Sequence, residues 1–343
     1  MGVLSTFAGL VGSFVLTAGR RLRRGPLRPD WSLLHEALFT RMKTVFAPMA
    51  SLEPAAQRAL SESQTVPTPV LRRLRIEPFA EGLVRGEWLT PKAGAPDRTV
   101  IYFHGGGYVL GSPATHRELA ARLALAASAR VLLLDYRLAP EHPFPAAIDD
   151  ALAAVRLLRA QGVPMSRLVL AGDSAGGNLA LVTLLSLREA GEPLPAAAAL
   201  VCPWVDMTLS SRSIDANAPW DYLDRATAEG WARHYLAGHD PRDPRCSPLF
   251  ADLSRLPPLL IQVGTAEMLY DEGTAFAAKA GAAGNQVVLR EAPGMVHDWH
   301  LLAALLPEAR TAIDQLGAFV REVTALPAPA ASPVDAAGQR IQG

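Results

Sequence analysis

Gly172-Asp173-Ser174-Ala175-Gly176 constrains this chain more than any other stretch of it. It follows an apolar run at 167–171 and precedes a helical pattern from Asn178 to Leu187. A G-x-S-x-G pentapeptide between a strand and a helix forces a sharp elbow. Small residues stand where the chain passes close to itself, and the serine hydroxyl is lifted out of the turn. Such an elbow sits at the C-terminal edge of a sheet, beside the N-terminus of the following helix. The same residues also fit a plain glycine-rich turn, but the strand before and the helix after favour Ser174 as a nucleophile.

Around this elbow, strand and helix alternate. Short apolar runs bounded by Gly, Pro or charge predict strands at 71–78, 83–90, 99–103, 130–134, 168–171, 197–201, 259–263 and 287–290. Helical patterns fall at 31–47, 51–63, 114–128, 146–160, 175–190, 272–283 and 307–323. Continuous apolar strands separated by helices predict an α/β fold, a mostly parallel eight-stranded sheet with helices on both faces. The segment from about 204 to 240 interrupts the alternation with helix and loop, which is the place for an inserted lid. The domain reading is therefore an N-terminal segment over 1–65, an α/β domain over 66–324 carrying the insertion, and an aperiodic Ala/Pro-rich tail over 325–343, expected to be disordered. A length of 343 residues and a hydrophobic fraction of 50% suffice for one large core. Zero formal net charge gives no global field to recruit nucleic acid. Two cysteines, Cys202 and Cys246, are too few for a disulfide framework or a thiolate metal site.

Charge is nevertheless uneven. Residues 20–43 hold seven positive side chains against Asp30 and Glu36, while Met1–Gly19 has no charged side chain. The first 19 residues approach the length of a membrane span, with Arg20–Arg24 at a headgroup surface. Ser5, Gly9, Ser13 and Thr17 recur every four residues, a small-residue face that packs closely. Four Gly and four Ser/Thr dilute the apolarity, and the basic residues follow the run, the wrong order for a signal peptide. The preferred expectation is an amphipathic helix docked on the protein or on a membrane surface.

The second chemical signal is His104-Gly105-Gly106-Gly107, directly after the strand at 99–103. Gly105, Gly106 and Gly107 leave backbone N–H groups unshielded, and with the N–H of Ala175 they form a candidate oxyanion hole for acyl transfer. A serine hydroxyl is a weak nucleophile and needs a base oriented by a carboxylate. The base should lie late, after the last strand. His297 sits in that loop, whereas His300 is expected to open a helix. His104 precedes Ser174, the wrong side for the Ser-acid-His order, and is read as holding its loop by hydrogen bonds. His35, His116, His142, His234 and His239 are expected to be surface or capping residues. For the acid, Glu267 lies in the loop after the strand at 259–263; Asp271, at a helix start, has N-capping as its alternative role. A metal pair at His297 and His300 lacks a third ligand nearby.

With these pieces assembled, the chain resembles the hormone-sensitive-lipase-like (family IV) carboxylesterases of the α/β-hydrolase superfamily. HGGG at 104–107, the stretch from Asp135-Tyr136-Arg137 through Pro140-Glu141-His142 to Ala146, GDSAGG at 172–177, 243–272 and GMVH at 294–297 carry the resemblance, over about 70 to 322. Within the family it looks most like the acetyl-hydrolase and monoterpene ε-lactone hydrolase branch. The resemblance implies the α/β-hydrolase fold and a helical cap made by the N-terminus and the insertion. It also implies action on short- to medium-chain acyl esters, with no metal or organic cofactor. It makes Asp135, Arg137 and Glu141 supports of the oxyanion loop. One departure is Glu267, where many members with GDSAG carry Asp.

The enzyme expectation is then a Ser174-His297-Glu267 carboxylesterase acting on esters or lactones. Amide or carbamate hydrolysis on the same site is the alternative, and a catalytically dead binding protein of the same fold is a third class. Expected partners are a small-molecule substrate and no nucleic acid, with a membrane surface met through residues 1–28 and a homodimer both left open. The expected location is cytoplasmic, with membrane association through the N-terminus as a variant. Trp31, Trp204, Trp220 and Tyr222 are the aromatics expected around an apolar, capped pocket.

Overall fold

The computed structural model describes residues 3–65, 68–94 and 96–325, with side chains from residue 9 onward. The tail expected to be disordered lies, apart from Ala325, outside the described residues.

Among the described residues, eight strands form one sheet: β1 (Leu74–Glu81), β2 (Val84–Pro91), β3 (Thr99–Phe103), β4 (Arg130–Leu134), β5 (Leu168–Asp173), β6 (Ala197–Val201), β7 (Leu259–Gly264) and β8 (Val287–Ala292). Their order is β1-β2-β4-β3-β5-β6-β7-β8. β2 runs antiparallel to both its neighbours, and β4 through β8 pair in parallel. The composition explains the arrangement. β3 reads TVIYF and β6 AAALV, buried at every position, because parallel strands are covered on both faces. β1 and β2 are half exposed and close through the two residues Gly82-Leu83, where Gly82 takes φ +60°. β1 starts at Leu74, not at Leu71 as expected, because Pro69–Arg73 forms a 3-10 turn first. Leu71 and Leu74 both fit the apolar pattern, which therefore cannot mark the start.

Among the described residues, ten α-helices surround the sheet. α1 (Val3–Arg24), α2 (Leu33–Phe46) and α3 (Pro54–Ser63) precede it. α4 (Pro113–Ala127), α5 (Ala146–Ala160) and α6 (Ala175–Glu189) connect successive strands. α7 (Ser213–Ala216) and α8 (Arg225–Leu236) lie in the insertion between β6 and β7, followed by α9 (Tyr270–Ala282) and α10 (Pro307–Val323). The β3-to-β4 connection runs one way along the sheet and the later connections run the other. Right-handed crossovers then put α4 and α5 on opposite faces. α10 packs on α4, and α6 packs on α5. The reversal falls between the neighbouring strands β3 and β5, whose C-terminal ends open the crevice where open α/β sheets bind ligands. Both glycine-rich motifs leave the sheet at that point.

The N-terminal helices and the insertion touch. Trp231 Nε1 in α8 donates to Gln57 Oε1 in α3 at 2.8 Å, and Lys43 Nζ in α2 donates to the carbonyls of Ala218 and Pro219 at 3.2 and 3.0 Å. α1 packs along α2, with Gly9 against Arg41 and Thr17 buried, so these two members of the small-residue face meet protein. Among the described residues no helix is long and apolar enough to cross a membrane.

Candidate active site

β5 runs into Ser174, whose backbone sits at φ 53° and ψ −119°. An L-residue adopts such a conformation only where its surroundings hold it, at roughly 1–3 kcal/mol. Here Ser174 N–H donates to Val201 O at 2.8 Å, and Ser174 O accepts from Asn178 N–H and Trp204 N–H, both at 3.1 Å. The following glycine is a requirement of approach: a Cβ on Gly176 would stand 2.0 Å from Phe103 O. The elbow therefore presses on the end of β3 and brings residues 104–107 alongside Ser174. Ala175 opens α6, so its N–H has no partner within the helix.

The 104–107 loop folds back over this point. Gly107 takes φ +61°, and a Cβ there would fall 2.4 Å from the Trp231 ring, so the loop lies flat beneath α8. Among the described residues, Gly106, Gly107 and Ala175 N–H groups donate no hydrogen bond outside regular structure. His104 is fully buried, with Nδ1 2.9 Å from Gly105 O and its ring stacked at 4.3 Å on Tyr136. Tyr136 OH in turn donates to His104 O at 2.6 Å. Burial pushes His104 down to about 3, which keeps it neutral. Beneath Gly105 lies Asp173, the variable residue of the pentapeptide. Its carboxylate accepts from Tyr102 OH at 2.6 Å and pairs with His116 Nε2 at 3.1 Å. Burial alone would depress His116, but Asp173 outweighs it and raises its pKa. His116 is thus a buried partner of the elbow, and the surface role expected for it is wrong. His35 is likewise buried, stacked on Trp31, and burial pushes it down to about 4.

β7 ends at Gly264, and Glu267 follows in the loop, completely buried. Its Oε1 accepts from Gly264 N–H at 3.1 Å, while Oε2 lies 2.9 Å from Nδ1 of His297. His297 follows β8 and is 1% exposed. Its Nε2 has no hydrogen-bond partner, though Asp298 Oδ2 lies 3.2 Å away. Burial would lower the imidazole pKa, but Asp298 and then Glu267 hold it well above the usual histidine value. Asp298 itself is raised by burial. Ser174, Gly106 and His297 border one cavity of about 580 Å³. The structure thus brings together Ser174, His297, Glu267 and the 104–107 loop. Asp271 stands apart: Oδ2 accepts from Ser213 N–H at 2.9 Å. Nor does it cap its own helix, since the position before α9 is Leu269. His300 lies inside the 3-10 turn Trp299–Leu302, buried, with Nε2 2.8 Å from Gln262 Oε1.

Sequence reasoning missed Asp221. From the insertion, its fully buried carboxylate accepts from Met268 N–H and Tyr222 N–H at 2.7 Å and from His297 N–H at 3.4 Å. One side chain so braces the loops carrying Glu267 and His297. Burial raises Asp221 to about 6. No local pattern marks it, because its partners lie 47 and 76 residues away. The aromatic lining also differs from expectation. Tyr222 borders the cavity with Trp231 and Phe46, while Trp31 and Trp204 are buried against Gly294 O and Asp206 O. Trp220 instead lies under the Arg28 guanidinium. Among the described residues one group has spacing suited to a metal, Cys202, His297 and Asp298, within 4.8 Å of one another. A cation there would engage the His297 imidazole.

Strained elbow, glycine loop and buried carboxylate–imidazole pair on an eight-stranded sheet define a hydrolase of the α/β-hydrolase class. A family described by the α/β hydrolase fold matches residues 100–301. An acetyl-hydrolase of Streptomyces hygroscopicus is 49% identical over 244 residues, 71% of this chain and 81% of that protein. An esterase of Acinetobacter venetianus is 37% identical over 271 residues, covering 78% and 89%. A crystal structure of an esterase from the bacterial hormone-sensitive lipase family superimposes with a TM-score of 0.79 at 40% identity, over 83% of this chain and 98% of that one. The chain belongs to the α/β-hydrolase-fold family and, within it, to the hormone-sensitive-lipase-like carboxylesterases.

Proposed function

We propose that this carboxylesterase cleaves short- to medium-chain acyl esters, lactones included, through an acyl-enzyme on Ser174. Ser174 Oγ attacks the substrate carbonyl carbon as His297 Nε2 takes its proton. The N–H groups of Gly105–Gly107 and Ala175 receive the oxyanion, a preorganised arrangement in which one donor is worth roughly 10²–10³ in rate. His297 returns the proton to the departing alcohol oxygen as the C–O bond breaks. Water, deprotonated by the same nitrogen, then releases the acid and regenerates Ser174. Glu267 holds the imidazole through Nδ1–H and stabilises its charged form. The α1–α3 segment and the insertion act as a cap over the cavity.

The observation that carries this reading is the buried Glu267–His297 pair at 2.9 Å, with His297 and Ser174 bordering the same cavity. The acyl preference draws on the mixed, mainly apolar lining and on the relative named an acetyl-hydrolase. Ser174→Ala tests it: turnover of a nitrophenyl ester should collapse to a residual on the order of 10³ over water, with the fold kept. A variant retaining near-normal turnover would sink the reading.

A further inference from the structure

α1 has two faces in different surroundings. The inner face meets α2, where Arg20 and Arg21 reach the buried Glu36. Leu10, on that side, borders the cavity. On the outer face Val11, Phe14, Val15 and Leu22 are 48, 42, 63 and 90% exposed. With Ala18 they fall at i, i+3, i+4, i+7 and i+11, a single stripe along a 22-residue helix. Large side chains held in water in this number mark an interaction surface. Beside Leu22 stand Arg23 and Arg24, both exposed and, among the described residues, without an acidic partner. The apolar stripe therefore ends in free positive charge.

That combination suits a helix lying in the plane of an anionic lipid surface, with apolar side chains at the acyl boundary and guanidiniums at the phosphates. A second copy of α1 could cover the stripe, but residues 1–29 contain no acidic side chain to answer Arg23 and Arg24. We propose that α1 docks this protein on an anionic membrane surface through Val11, Phe14, Val15 and Leu22, with Arg23 and Arg24 on the headgroups. Leu10 then places the cavity one helix thickness from the lipid boundary, where apolar esters partition. This last step rests on the ester reading above; the docking does not.

Full-length protein should sediment with phosphatidylcholine vesicles containing phosphatidylglycerol. It should bind several-fold less to phosphatidylcholine alone or in high salt. The Val15→Glu/Leu22→Glu variant should lose on the order of tenfold or more of that binding, with turnover of a water-soluble ester unchanged as proof of fold. Failure to sediment with the anionic vesicles overturns the docking, as does equal binding by the variant. So does a vesicle-free dimer that the double substitution splits. Vesicle binding by a protein inactive on all esters would instead refute the ester reading and leave the docking standing.

Discussion

Glu267 and Asp298 lie 2.9 and 3.2 Å from opposite nitrogens of His297, and their effects are separable. Glu267→Gln keeps the volume and removes the charge behind Nδ1, so kcat should fall by roughly 10³–10⁴. Asp271→Asn should leave kcat nearly unchanged, because an amide oxygen can still accept from Ser213 N–H. Kinetics of the two variants decide, and a crippled Asp271→Asn beside an active Glu267→Gln would move the role to Asp271. Asp298 acts through pH. In the proposed mechanism His297 works as a base only as neutral imidazole, so kcat/KM should decline as pH falls through its pKa. With that pKa raised, the acidic limb lies above the ordinary value of about 6.5. Asp298→Asn removes the leading charge that raises it, so the limb should shift to lower pH. A profile that stays put would show that Asp298 exerts no field on the base.

At the scale of elements, Arg58 in α3 links the N-terminal helices to the segments flanking the glycine loop. Its guanidinium donates to Val109 O and Ala139 O at 2.7 Å and to Glu141 at 2.6 and 2.9 Å. Glu141, set aside from sequence as a support, thus has a partner 83 residues away. The exposed ion pair is worth only about 0–1 kcal/mol, but the carbonyls lose a charged donor, so Arg58→Ala should cost on the order of 2–3 kcal/mol. Calorimetry should show a lowered Tm, with KM rising more than kcat falls; an unchanged Tm would contradict the link. The same contrast explains what was legible beforehand. β3, β4 and β6 fall on their expected residues because buried strands are short apolar runs bounded by charge, glycine or proline. The elbow and the Glu267–His297 pair follow from motif and chain order. Asp221, the His116–Asp173 pair and the Trp231–Gln57 bond were invisible, since each joins segments that only the folded sheet and insertion bring together.

For the whole molecule, the proposed chemistry and the cavity together set an expectation for substrate length. A cavity of about 580 Å³, bordered by Tyr222, Trp231 and Phe46, bounds the space open to the acyl chain of the proposed substrate. Each buried methylene adds about 0.8 kcal/mol until the wall is reached. Nitrophenyl esters of increasing length should therefore turn over best at roughly two to eight carbons, and a preference for long-chain triglycerides would contradict that bound. The account stands or falls on a covalent bond at the elbow. The protein should be treated with a phosphonylating ester analogue and weighed intact, then digested and mapped by mass spectrometry. One adduct per chain on Ser174, lost in Ser174→Ala and strongly slowed in Glu267→Gln, is the expected result; an adduct on another residue, with Ser174 unmodified while activity disappears, would contradict it.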